Sequence, residues 1–127
     1  MYMRFTTPYA AAKTRGARHG IFGPAYWVWR DGSQPDWLRA AIRDDLDWFN
    51  DHLPVPYRFG VVTRKSHRPY GGVCWFRDDA GAMIDRARRI AALLDQAGVP
   101  VTRLRARAPG DIVYRDPWQV VAMPRRA

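Results

Sequence analysis

Glutamate is absent from this chain and lysine occurs only as Lys13 and Lys65, so arginine and aspartate carry nearly all of its charge. Cysteine is reduced to Cys74, which excludes an internal disulfide and a cysteine-based zinc site. A lone thiol fits a reducing compartment, and the cytoplasm is the expected location. Cys74 sits in the apolar run Val73-Cys74-Trp75-Phe76 and reads as a buried, inert thiol rather than a nucleophile. The three histidines, His19, His52 and His67, are far apart in sequence, and no metal or cofactor is expected. No stretch nears the roughly 18 apolar residues of a membrane span, and the amino terminus lacks the apolar core of a signal peptide, so no membrane partner is expected.

What remains is ample for folding. The 127 residues suit one domain, and a hydrophobic fraction of 47% with 13% aromatics supplies enough apolar surface to offset chain entropy. Residues 1–24 read as a basic, largely irregular arm, residues 25–123 as a single α+β domain, and residues 124–127 as a polar tail.

Within that domain, the aromatic run Tyr26 to Arg30 has the composition of a short strand, closed by Asp31-Gly32. A helix follows, capped by Ser33 or Gln34, with Pro35 in its first turn and Asp36 at the positive end of its dipole. Leu38, Ala41, Ile42, Leu46, Phe49 and Leu53 form its apolar stripe. Pro54 and Pro56 end it, and the alternation over residues 57–63 predicts a strand. A basic turn over 64–68 then leads to a partner strand through Phe76. A second helix, capped by Asp78 or Asp79, carries Met83, Ile84, Ala87, Ile90, Ala91 and Leu94 on one face and stops at Gly98 and Pro100. Strands are expected over 102–107, 112–114 and 118–123. This order predicts a ferredoxin-like α+β sandwich, with a mostly antiparallel sheet, two amphipathic helices on one face and a C-terminal β-hairpin.

Charge is the chief functional signal, since 21 basic against 12 acidic residues gives a formal +9 and favours anionic partners. The number of arginines decides little, because codon bias yields the same skew. Their segregation says more. The windows 33–55 and 78–98, which hold the two helices, are net acidic, whereas 56–77 has five basic residues and no acid. In a strand, Arg103, Arg105 and Arg107 project from one face, interleaved with Thr102, Leu104 and Ala106. Cations are therefore expected on the sheet and loop side, opposite the helices. Arg58, Arg64, Lys65, Arg68, Arg103, Arg105 and Arg107 are the candidate nucleic-acid contacts, because guanidinium forks suit phosphate and stack on bases.

The segment Arg68-Pro69-Tyr70-Gly71-Gly72-Val73-Cys74-Trp75 is similar to the strand signature of RNA-recognition motifs. It departs from that signature at Pro69, where glycine belongs, and at Gly72, which lacks a base-stacking ring, so membership is not inferred. Asp44, Asp47 and Asp51 share a helix face but read as a solvated surface, with Arg43 and Asp47 as an ion pair. Ser66 with His67, His19, and Asp111 with Asp116 are the sole combinations with any catalytic chemistry, and turns account for them better. The expectation is a non-enzymatic basic module that binds nucleic acid. The alternatives are a module that clamps an acidic protein or pairs as a homodimer, and a small enzyme with an unrecognised site.

Overall fold

Tyr2–Thr6 forms a strand, β1, at the place where an irregular arm is expected. Met3 and Phe5 are buried and alternate with half-buried Tyr2 and Arg4, the two-residue period of a strand shielded more on one face. The computed structural model describes residues 1–9, 20–54 and 72–123. The basic part of the arm, 10–19, the predicted strand 57–63, the basic turn 64–68 and the tail 124–127 lie outside them.

The aromatic run that resembles a strand is helical. Helix α1 spans Phe22–Arg30, with Pro24 in the first turn, where its missing N–H is not needed. Ile21, Ala25 and Val28 are buried at helical spacing, and this tertiary burial overrides the strand preference of Tyr26, Trp27, Val28 and Trp29. Asp31 ends the helix. Its Oδ1 accepts hydrogen bonds from the Ser33 backbone N–H at 2.9 Å and hydroxyl at 2.6 Å, and these hold its carboxyl below the usual range.

Helix α2 spans Asp36–His52 with Pro35 as its N-cap. Ser33, a cap candidate by sequence, instead serves the Asp31 turn. Leu38, Ile42, Leu46 and Phe49 are buried as the stripe predicts. Strand β2 is Val73–Arg77, and helix α3 is Gly81–Gln96, burying Met83, Ile84, Ala87, Ile90 and Leu94. Ala80, not Asp78 or Asp79, occupies the N-cap position of α3. Gly98 follows at φ 87, a left-handed conformation that glycine adopts without steric cost. Strands β3 (Thr102–Ala106), β4 (Asp111–Arg115) and β5 (Gln119–Met123) complete the order.

Among the described residues the result is an α+β fold with a five-stranded antiparallel sheet, ordered β3-β1-β2-β5-β4, and three helices. It is compatible with a ferredoxin-like sandwich. β4 and β5 form the expected C-terminal hairpin. Among the described strands the neighbours of β2 are β1 and β5. All three helices join Met3, Phe5 and Phe76 in one apolar core, so the helical layer covers the sheet face that carries those side chains.

Candidate nucleic-acid interface

Among the described residues β3 is an edge strand, with β1 as its sheet neighbour. Thr102, Arg103, Leu104 and Arg105 are exposed in it, as is Arg107 just beyond its end. The register pairs Phe5 with Arg103 and Met3 with Arg105. Directly opposed residues of antiparallel strands project to the same face, so Arg103 and Arg105 lie on the helix-bearing side of the sheet. The expected cationic face opposite the helices is thus, at β3, a cationic rim on the helix side of the sheet's edge.

The ion pairs gather elsewhere. Arg39 meets Asp36 at 3.8 Å, Arg43 meets Asp47 at 3.0 Å, and Arg77 meets Asp79 at 3.4 Å. Arg86 and Arg89 reach Asp45 at 3.0 and 3.4 Å. Among the described residues, no carboxylate forms an ion pair with Arg103, Arg105 or Arg107. Of the helix arginines, Arg39, Arg43, Arg86 and Arg89 are paired with described carboxylates while Arg30 and Arg88 are not, and none of the β3-rim arginines is. Arg58, Arg64, Lys65 and Arg68 lie outside the described residues.

Three large aromatic rings stand exposed on the described surface. Tyr9 follows β1 by three residues, just past the Thr6–Thr102 pair at which β3 begins. Its ring meets Trp27 of α1 edge to face at 5.5 Å. The Gln34 side chain donates to the Ala97 carbonyl at 3.4 Å, tying the start of α2 to the turn between α3 and β3. Trp37 lies in that first turn of α2. Tyr9, Trp27 and Trp37 are 41%, 46% and 57% exposed. Composition alone does not separate these rings from the core aromatics. Their helical positions do, since Trp37 falls one residue off the α2 stripe and Trp27 one residue off that of α1.

The remaining polar groups support the fold. Burial pushes the Asp116 carboxyl up, but hydrogen bonds from the Tyr114 hydroxyl at 2.7 Å, the Trp118 and Gln119 backbone N–H groups at 2.8 and 2.9 Å, and the Gln119 amide at 3.0 Å outweigh it and hold the group below its ordinary value. This is the turn that Asp116-Pro117 predicts. Cys74 is exposed, where a buried thiol is expected. Surrounding protein still desolvates its sulfur and pushes the thiol up to about 11; nearby Arg4 lowers it and Asp116 raises it, to smaller extents. The thiol therefore stays protonated at neutral pH, and the expected inertness has a physical cause other than inaccessibility.

Sequence reasoning missed Asp45. It is fully buried on the α2 stripe, three residues after Ile42 and four before Phe49, while Asp44 and Asp51 of the acidic face are exposed. That spacing was the available signal. Arg86, which pairs with it, also lies over the Trp48 ring at 4.9 Å, and Trp48 stacks on His52 at 4.3 Å. Among the described residues, no group of His, Cys and Asp side chains is arranged to hold a metal ion, and no helix is long and apolar enough to cross a membrane. Comparison with protein-family models, curated proteins and solved structures gives no match.

Proposed function

We propose that this chain is a non-enzymatic binding module that engages nucleic acid through its phosphates, with Arg103, Arg105 and Arg107 as contacts. One observation carries the reading: arginines at alternate positions of an exposed edge strand, unpaired by any described carboxylate, in a molecule of formal charge +9. Alternate strand residues are about 6.8 Å apart, so the forked guanidinium groups form a row rather than a point charge. Edge arginines also discourage edge-to-edge sheet pairing, a purely structural role. Titration separates the two roles.

Anisotropy of a labelled oligonucleotide should show affinity falling steeply and linearly with log salt. Replacing Arg103, Arg105 and Arg107 together with alanine should weaken binding about equally for all sequences and reduce the salt slope by about one per lost phosphate contact. A flat salt response sinks the reading. Equal competition by poly-aspartate moves it to an acidic protein partner.

A second reading, pairing of two copies, is favoured by the other sheet edge, β4, where Val113 is exposed. Light scattering over a wide concentration range tests it, and a constant monomer mass removes it.

A further inference from the structure

The β3 arginines stand on an edge that also offers its backbone. Five consecutive pairs, from Tyr2 with Ala106 to Thr6 with Thr102, join β3 to β1 without a register shift. A regular edge of this kind directs alternate N–H and C=O groups away from its neighbour, and among the described residues no strand pairs with that outer side. Thr102, Arg103, Leu104 and Arg105 are exposed in succession, so both faces of the strand are open, where a strand covered on one face would alternate. Phosphate contact uses the guanidinium heads and leaves the outer backbone groups idle.

A second copy of the chain fits this edge badly. Paired antiparallel about Leu104, it sets Arg103 opposite Arg105 of the copy, and like charges directly opposite one another are destabilising. The same apposition selects the partner that fits. We infer that an extended acidic peptide adds to β3 as a further strand: its backbone completes the ladder, carboxylates at alternate positions meet Arg103 and Arg105, and the apolar residue between them lies beside Leu104 on the other face. Charge complementarity sets the choice, because these arginines meet no described carboxylate. Nucleic acid and peptide compete for the same guanidinium groups, but only the peptide uses the backbone edge, so this step goes beyond the phosphate-binding reading and can fail without it.

The test titrates the full chain, at fixed salt, against a labelled, end-capped peptide that alternates aspartate with valine. A control of the same composition carries its aspartates in one block. Two analogues of the alternating peptide are N-methylated, one at the valines and one at the aspartates, so that each has one backbone edge blocked. The alternating peptide should bind at least about ten-fold more tightly than the block peptide, and one of the two analogues should lose about ten-fold or more, the worth of roughly one or two hydrogen bonds. Arg103→Ala with Arg105→Ala should weaken the alternating peptide more than Arg88→Ala with Arg115→Ala does, and circular dichroism should show an intact fold in both variants. Equal binding of alternating, block and methylated peptides overturns the inference, as does failure of the alternating peptide while a labelled oligonucleotide binds; the phosphate reading stands in either case. The expected peptide pattern without oligonucleotide binding overturns the phosphate reading alone, and absence of binding to every probe overturns both.

Discussion

Asp45 is a charged residue at a position that the helical period assigns to the core, and its partners explain how it is tolerated. Its Oδ1 receives Arg86 and Arg89 from α3, while its buried Oδ2 has no hydrogen-bond partner among the described residues. A buried carboxylate stripped of its cations is an uncompensated charge, which typically costs about 3–5 kcal/mol, more than the net stabilisation an intact pair supplies. Replacing Arg86 and Arg89 together with alanine should therefore destabilise the fold by about that amount in urea unfolding. Adding Asp45→Leu to the pair should recover most of the loss, because an apolar side chain then fills the apolar stripe. If the double variant loses under about 1 kcal/mol, the carboxylate does not depend on these arginines. The direction of the rescue distinguishes a charge held against its will from one that stabilises the fold.

Elements follow the same logic of local signal against tertiary context. α2 and α3 have long apolar stripes and clear stops, and both form close to their predicted bounds. β1 and α1 were less legible. Five residues give few alternations to count, and an aromatic run has strand preference until Ile21, Ala25 and Val28 are seen to share one face. The β4–β5 hairpin was legible because Asp-Pro is a turn signal with a mechanism, and Asp116 supplies it. That carboxyl sits below the ordinary aspartate value of 3.8, so it stabilises the folded state above that pH and loses the contribution as the pH falls through its lower folded value. Asp116→Asn should cost about 1–2 kcal/mol at pH 7, measured by thermal or urea denaturation. The gap to the parent should narrow at acid pH, as the parent's carboxyl itself becomes protonated on passing its lowered folded value. A gap of equal size at neutral and acid pH contradicts this assignment.

At the scale of the molecule, a net charge of +9 attracts any polyanion, so binding alone does not distinguish an interface from a diffuse field. Charge-matched variants do. Arg103→Ala with Arg105→Ala, and Arg88→Ala with Arg115→Ala, each remove two exposed arginines, but only the first pair interrupts the β3 row. The first should lower oligonucleotide affinity several-fold more than the second in anisotropy titrations at fixed salt. Equal losses would mean that the field, not the row, does the binding. The segregation of charge along the chain foretold part of this pattern, since the helices do pair most of their own cations. It misplaced the β3 arginines, because alternation says which residues share a face but not which face meets the helices.

Composition, spacing and turn chemistry by themselves determined an α+β fold, its two long helices, the C-terminal hairpin and that Arg103 and Arg105 share one face of their strand. These are local properties, set by periods of two and 3.6 residues and by residues that cap or turn. Tertiary structure alone decided that Tyr2–Thr6 lies inside the sheet, that β5 neighbours β2, that Asp45 is buried and Cys74 exposed, and that Arg103 and Arg105 lie on the helix-bearing side of the sheet. Each depends on which segments far apart in sequence become neighbours, and pairing register, not the periodicity of any one segment, fixes that.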